Sequence, residues 1–301
     1  MASELSASVA KAIDLTAKVA DDDIPWNSPL QDSQAGSELV EEEARNPEPG
    51  KGSWPWLQAP MIARGALWAG VEEAKALQGA LDVENTSYAA DVLCRSILES
   101  LSLAWWLLES EIAAPDRVAR LFLFRWYTSR QTEQAVKSLG LRADEYEAEY
   151  GELPNAVKAH ATELGISLEE RSVDGRKRIC CGDQIWPSYT DRIAQLVENI
   201  WPQGRMPYAV LSAVAHAELL GFTRNVGQAQ RGTVPSLRPT PDRTGHWLWY
   251  DAYLAAGALL FAAERAAGFL GLTEHVIAAQ AAKAETQSQL RGLRPAPPTD
   301  G

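Results

Sequence analysis

The chain has 301 residues, 46% of them hydrophobic, which is enough to bury a core in one large domain or two small ones. Its formal net charge of −12 argues against a protein that coats nucleic acid or an anionic membrane, because phosphate binding needs clustered Lys and Arg. The three cysteines, Cys94, Cys180 and Cys181, offer neither a CxxC metal spacing nor a disulfide framework, which predicts a cytoplasmic protein. The most apolar run, 252–263, is too short to span a membrane, so no membrane segment is predicted.

The chain begins with residues 1–58, which are predicted to form an acidic, mostly disordered arm. Residues 1–60 contain eleven Asp and Glu but only four Lys and Arg, a net charge of −7. Residues 4–20 show weak helical periodicity, and residues 21–60 are aperiodic and contain Pro and Gly. Three tryptophans are unusual in a disordered segment and predict that parts of the arm are pinned to the domain: Trp26, Trp54 and Trp56.

Helical periodicity then predicts one domain over residues 59–292, an all-α irregular bundle of about seven or eight helices. The predicted helices span 60–83, 87–109, 115–139, 142–164, 189–201, 206–222, 247–271 and 273–291. Asp174-Gly175, between the β-branched residues of segment 171–181, predicts a small β-hairpin insertion. Residues 223–246 are predicted to be a long loop, and 293–301 a disordered tail.

A polar stripe marks the predicted helix 206–222. Tyr208, Ser212 and His216 recur every four residues on a segment otherwise built of apolar residues, so they share one face. One interpretation is a satisfied network of core hydrogen bonds. The other is a functional pocket centred on His216.

A second polar stripe lies on the predicted helix 87–109. Asp91, Arg95, Glu99 and Ser102 share one face, and Asp91 stands in the favourable orientation for an ion pair with Arg95. This stripe is either a solvated ladder of ion pairs or part of a polar cleft beside His216, in which Arg95 binds an anion and Glu99 orients its neighbours. The candidate catalytic residues are therefore His216, Arg95, Glu99 and Ser212.

Candidate binding residues lie near both stripes. Trp105, Trp106 and Tyr208 would line an aromatic pocket, while Arg224 and Arg231, in the long loop after His216, would accept RNA or an anionic small molecule. No cofactor motif and no metal spacing is present. His160 and Glu163 lack the second Glu-x-x-His partner of a di-iron bundle, so no metal is expected.

Three groups of short motifs punctuate residues 60–270: Arg95-Ser-Ile-Leu-Glu99 with Trp105-Trp106-Leu107-Leu108, then Arg117-Val-Ala-Arg120, and finally Tyr208-x3-Ser212-x3-His216-Ala. On these motifs the chain resembles a group of uncharacterised all-helical bacterial proteins that are distantly similar to the HEPN superfamily. The resemblance implies a helical bundle, often dimeric. In active members it implies a metal-independent RNA-cleaving site made of Arg and His four to six residues apart on one helix.

This chain departs from that pattern. Arg205, the nearest arginine before His216, is eleven residues away, about 16 Å along a helix. An arginine from another helix, such as Arg95, would have to replace it.

Three functions stay open at this point, and the sequence does not decide whether the protein is an enzyme. The first is a HEPN-like domain, either a binding or defence-associated module or a divergent metal-independent nuclease that uses His216. The second is a small-molecule enzyme or binding protein with an aromatic interior pocket beside His216. The third is a non-catalytic scaffold for protein interactions.

Overall fold

The computed structural model describes residues 2–21, 23–45, 55–83, 86–201, 205–216 and 241–294. These residues form eleven α-helices and three β-strands. The helices are α1 (Ala2–Ala20), α2 (Gln34–Arg45), α3 (Pro55–Leu81), α4 (Ser87–Leu107), α5 (Ala114–Ser138), α6 (Ala143–Tyr150), α7 (Pro154–Glu163), α8 (Tyr189–Val197), α9 (Arg205–Ala215), α10 (Pro241–Leu270) and α11 (Thr273–Gly292). The strands are β1 (Leu168–Val173), β2 (Arg176–Cys181) and β3 (Gln184–Ile185). The predicted all-α bundle with a small β insertion is confirmed.

The chain divides into two units. Unit 1 comprises Met1–Gly36, Met61–Ser110 and Ser188–Gly301, and unit 2 comprises Ser37–Pro60 and Glu111–Pro187. The sequence predicted one helical domain over residues 59–292. Helical periodicity shows which face of a helix is buried, but not which other helix covers that face.

Helix α10 forms the centre of unit 1, where it packs against α1, α4, α8 and α11. Its small residues permit this close packing: an ideal Cβ added at Gly257 would lie 2.7 Å from Cγ2 of Ile200. Within the described residues, Gly245–Leu270 alone is long and apolar enough to cross a membrane by composition, but 78% of its apolar window is buried inside the protein, consistent with the core helix of a soluble protein.

The structure differs from the predicted disordered arm at α1 and α2. Leu5, Val9 and Ile13 of α1 are buried, and α1 packs against α10 and α11. Trp26 is buried beside α1 and donates a hydrogen bond from Nε1 to the carbonyl of Val19 (3.0 Å). The acidic average of residues 1–60 concealed this amphipathic helix, on which Leu5, Val9 and Ile13 recur every four positions. Residues 46–54 of the predicted arm lie outside the described part of the chain, as does Trp54.

In unit 2, α5 packs against α6, α7, β2 and β3. The helix predicted over 142–164 is broken into α6 and α7. Gly151 interrupts it with a φ of 99°, and Pro154 then begins α7 at a position where its missing N–H costs no helical hydrogen bond. This break and the two helices of the predicted arm raise the count from the predicted seven or eight to the eleven observed among the described residues.

The predicted β-hairpin is confirmed in unit 2. Strands β1 and β2 pair antiparallel with Val173 opposite Arg176, and the turn residues Asp174 and Gly175 have φ of 51° and 73°, as a type I′ turn requires. The short strand β3, which was not predicted, adds to β2 with Ile185 opposite Cys180.

Candidate functional site

Helices α4 and α9 of unit 1 pack against each other and bear the two polar stripes. Tyr208 lies within α9 and is 6% exposed. His216 directly follows α9: its backbone N–H donates to the carbonyl of Ser212 (3.0 Å), and its side chain is exposed. At the other helix, Tyr88 Oη donates to the carbonyl of Val214 (2.9 Å) and so fixes α4 against α9.

Four side chains from these helices form one hydrogen-bonded group, which we call the polar cluster: Arg95, Glu99, Tyr208 and His216. Arg95 Nε donates to Glu99 Oε1 (2.7 Å), and Tyr208 Oη donates to the same oxygen (2.8 Å). Arg95 Nη1 lies 3.3 Å from His216 Nε2. The guanidinium Cζ also lies 5.6 Å from the centre of the Tyr208 ring, within the range of a cation–π contact.

The polar cluster runs from the interior to the surface. The side chains of Arg95 and Glu99 are 20% and 30% exposed. Tyr208 is buried behind them, and His216 is exposed in front of them. A buried phenol therefore supports an ion pair that reaches solvent beside an imidazole.

This burial sets the charge states of two members. Burial, followed by the hydrogen bond to Glu99, raises the pKa of Tyr208 to about 12, so the phenol stays neutral and donates. Partial burial lowers the pKa of Arg95, but the hydrogen bond to Glu99 and the charge of Glu99 outweigh it, so the net shift is upward. The guanidinium therefore keeps its positive charge.

The contact between Arg95 and His216 also fixes a tautomer. A guanidinium only donates hydrogen bonds, so His216 Nε2 must accept from Nη1, and the proton of a neutral imidazole then sits on Nδ1. Among the described residues, His216 Nδ1 makes no hydrogen bond. The polar cluster thus combines a cationic donor with a proton-accepting nitrogen at the surface. Such a pair can bind an anion and accept a proton from a group beside it.

The remaining sequence-predicted residues fall in different places. Ser212 is half-buried on α9, and within the described residues its hydroxyl makes no hydrogen bond. Asp91, predicted to pair with Arg95, is fully buried, and Arg95 pairs with Glu99 instead. Arg224 and Arg231 lie outside the described residues.

Trp105 and Trp106 lie near the C-terminal end of α4, with Trp105 about 15 Å along the helix from Arg95. Trp105 packs edge-on against Phe261, with ring centres 6.3 Å apart, and the guanidinium of Arg265 lies over the Trp105 ring. Trp106 is 4% exposed. The structure therefore places Trp105 in a separate aromatic contact rather than beside His216.

Unit 2 holds a second Arg–His contact that sequence reasoning missed. Arg125 Nη2 lies 3.4 Å from His160 Nδ1, and Arg125 Nε donates to Glu152 (3.1 Å). Arg125 Nη1 also donates to Gln58 (3.4 Å). These residues come from four separate segments, so no spacing along the chain could have revealed the group.

No group of three or more His, Cys, Asp or Glu side chains suited to a metal ion occurs in the part of the chain that the structure describes. No family model matches the chain, and neither a curated protein nor a solved structure matches it.

Proposed function

We propose that the polar cluster cleaves RNA without a metal ion, with His216 as general base and Arg95 as the anion-binding group. The contact of 3.3 Å between Arg95 Nη1 and His216 Nε2 is the single observation that carries the proposal. It supplies, from two helices, the Arg–His pair that the HEPN resemblance implies on one helix. The exposure of His216 supports access by a large substrate.

The chemistry needs only these groups and the substrate. His216 takes the proton of a ribose 2′-hydroxyl, and the 2′-oxygen attacks the adjacent phosphorus. The bond from phosphorus to the 5′-oxygen breaks, and that oxygen takes the proton from the protonated imidazole of His216, which restores the base. Arg95 donates to the non-bridging oxygens, where negative charge accumulates. The products are a 2′,3′-cyclic phosphate and a 5′-hydroxyl end.

Glu99 and Tyr208 act as positioning residues in this proposal. Glu99 holds the Nε edge of Arg95, which leaves the outer nitrogens of the guanidinium for an anion. Tyr208 in turn fixes Glu99 through the second hydrogen bond to Oε1. When a phosphate engages Arg95, the bond between Nη1 and His216 is released, and the Nε2 lone pair becomes available to the 2′-hydroxyl.

We place this activity in the cytoplasm because the three cysteines are buried thiols, as suits a reducing compartment. A HEPN-like nuclease of this kind would serve as a defence-associated enzyme in a bacterial cell. The aromatic-pocket alternative draws less support, because Trp105 is engaged by Phe261 and Arg265.

The test is incubation with end-labelled single-stranded RNA in the presence of EDTA, with DNA of the same sequence alongside. We expect cleavage of RNA only, because DNA lacks the 2′-hydroxyl. His216→Ala and Arg95→Ala should each lower the rate at saturating RNA by about 100-fold or more, the usual contribution of general acid–base catalysis. Thermal melts of both variants should stay close to that of the unaltered protein.

His160→Ala is the matched control, because it removes the other Arg–His contact and leaves the polar cluster intact. It should cleave RNA at the unaltered rate. The proposal fails if no RNA is cleaved, if DNA is cleaved equally, or if His160→Ala loses activity while His216→Ala keeps it.

A further inference from the structure

Unit 2 contains a polar groove that the proposed reaction does not use. It lies between α5 and the hairpin of β1 and β2, and it encloses about 370 Å³. We call it the ribbon groove. Its lining residues are Tyr127, Arg130, Gln131, Gln134, Glu170, Lys177, Arg178 and Ile179.

The lining of the ribbon groove is cationic, although the whole chain is acidic. Arg130, Lys177 and Arg178 stand against one carboxylate, Glu170, which pairs with Arg130. Both members of that pair are about two-fifths exposed, so water and salt screen the contact. Local attraction for an anion therefore persists on a chain whose formal net charge is −12.

Three donor side chains of the ribbon groove are uncommitted. Lys177, Gln131 and Gln134 make no hydrogen bond or ion pair within the described residues. An ammonium group and two amides are suited to phosphate oxygens, and Lys serves that purpose as a compact point charge.

Side chains of the ribbon groove form a row along α5, and packing fixes the first of them. Tyr127 stacks on Trp186 with ring centres 4.6 Å apart, so the start of the row is fixed by packing. Tyr127, Gln131 and Gln134 follow at helical spacing along one face of α5, a row about 10 Å long. A row of that length suits successive groups of a strand better than one small anion.

We propose that the ribbon groove binds the phosphodiester backbone of single-stranded RNA and supplies affinity for the substrate. The choice of RNA rests on the proposed function, whereas the preference for a phosphate backbone rests on the lining residues. Lys177 is the principal phosphate contact, and the two glutamines orient the strand along α5.

The experiment measures RNA affinity by fluorescence anisotropy, with His216→Ala present in every protein to prevent cleavage. Adding Lys177→Glu should weaken binding about tenfold and lower the slope of log K against log salt by about one, as the loss of one phosphate contact does. The double variant Gln131→Glu/Gln134→Glu changes only exposed, nearly isosteric side chains and should weaken binding at least as much.

Arg176→Glu is the matched control. It carries the same charge reversal one residue away, at a strand position outside the lining of the groove. Binding should stay within about twofold of the reference, since no phosphate contact is lost. Equal weakening by Arg176→Glu would overturn the ribbon groove as a defined site. Complete displacement of RNA by inorganic phosphate or a mononucleotide at low millimolar concentration would show that the ribbon groove binds a small anion rather than an RNA strand.

A second measurement separates this inference from the proposed reaction. In the otherwise unaltered protein, Lys177→Glu should raise KM for RNA about tenfold and leave kcat unchanged, because uniform binding is lost. Binding that depends on Lys177 without any cleavage would refute the proposed function alone. Cleavage with a KM indifferent to Lys177 and to both glutamines would refute the ribbon groove alone.

Discussion

Arg95 and Arg125 present the same side chain in two different states. Arg125 contacts Glu152, Gln58 and His160, so its donors are largely committed within unit 2. Arg95 contacts Glu99 and Tyr208, and its remaining contact, His216, reaches solvent. The solvent access of the Arg–His contact, rather than its presence, distinguishes a structural arginine from one that can accept a ligand.

The first prediction concerns the phenol of Tyr208. Tyr208→Phe removes the hydrogen bond to the charged Glu99 and should lower the free energy of unfolding at pH 8 by about 1–2 kcal/mol. Tyr88→Phe is the control, because it removes a phenol bond between the same two helices, here to a backbone carbonyl. It should cost no more than about 1 kcal/mol, the net value of a neutral hydrogen bond. Urea unfolding measures both.

The same residue gives a dependence on pH. The folded state raises the pKa of Tyr208 from its ordinary 10.0 to about 12, so the neutral phenol stabilises the fold fully below pH 10 and that stabilisation is lost as the pH rises toward 12. The difference in stability between the unaltered protein and Tyr208→Phe should therefore shrink between pH 10 and pH 11.5. A difference that stays constant over this interval would contradict the assignment of the donor.

A further prediction at this scale concerns the buried ion pair of unit 2. Arg117 donates from Nε and Nη2 to Glu38 (2.8 and 2.9 Å), and Trp56 Nε1 donates to the same carboxylate (2.7 Å). Arg117→Met leaves this carboxylate buried without its cation and should cost about 3–5 kcal/mol. The double variant Glu38→Gln/Arg117→Met should cost less than the sum of the single changes, because both charges are gone.

Arg130→Met breaks the exposed pair with Glu170 and serves as the comparison, with an expected loss of about 0–1 kcal/mol. Equal losses for Arg117→Met and Arg130→Met would show that the buried pair has no special cost. Additive losses in the double variant would show that Glu38 and Arg117 do not interact.

The polar cluster was predictable in part from single residues. The spacing of Tyr208 and His216 on one helix, and of Arg95 and Glu99 on another, identified the two faces because side chains four apart align. The meeting of those faces was a hypothesis, since periodicity carries no information on which helices are neighbours. Trp105 shows the limit: it lies ten residues after Arg95, so it shares the helix but not the same level along the axis.

At the scale of elements, the sequence predicted the long helices and the hairpin because their signals are local. Gly175 with a positive φ and Ser188 as the N-cap of α8, which accepts from the N–H of Asp191 (3.1 Å), act within a few residues. Strand β3 is only two residues long, so it offers too few periods to detect.

Helices α3 and α4 provide a prediction about packing. Leu101 is fully buried, and a Cβ added at Gly70 would lie 2.6 Å from its Cδ2. Leu101→Ala should lower the free energy of unfolding by about 2–5 kcal/mol. Gly70→Ala should cost about 1–3 kcal/mol through overpacking. In the Leu101→Ala background the same Gly70→Ala should be stabilising, because the new methyl group enters the vacated space and alanine favours the helix.

Leu211→Ala is the control for this cycle. Leu211 is fully buried on α9 and is not among the atoms nearest Gly70, so its loss of about 2–5 kcal/mol should add to that of Gly70→Ala. If Gly70→Ala lowers the free energy of unfolding equally with Leu101 intact and in the Leu101→Ala background, then α3 and α4 do not pack through this pair. Losses below about 1 kcal/mol for both leucine variants would mean that these helix faces are not tightly packed.

At the scale of the whole molecule, the acidic N-terminal residues 1–60 show that composition does not predict packing. Their composition predicted a segment unable to bury enough apolar surface to offset ordering entropy. The structure instead places α1 against α10 and α11, and Thr16 Oγ1 donates across to the carbonyl of Leu259 on α10 (3.1 Å). An acidic average over residues 1–60 is compatible with an apolar face on residues 2–20, because the acidic and the apolar side chains occupy different positions.

The last prediction follows from that placement. Deleting residues 2–20 removes Leu5, Val9, Ile13 and Val19, all at most 7% exposed, and each buried side chain of this size contributes about 1.5–3 kcal/mol. Their sum approaches the whole stability of an ordinary domain, about 5–15 kcal/mol, so unit 1 should lose cooperative folding. We expect a flattened thermal transition, weakened near-ultraviolet circular dichroism and binding of a hydrophobic dye by the exposed face of α10. Deleting residues 295–301 is the control and should leave all three signals unchanged. A synthetic peptide of residues 2–20 should restore the transition when added to the truncated protein. A truncated protein that melts cooperatively at the original temperature without the peptide would return this segment to the role of a dispensable arm.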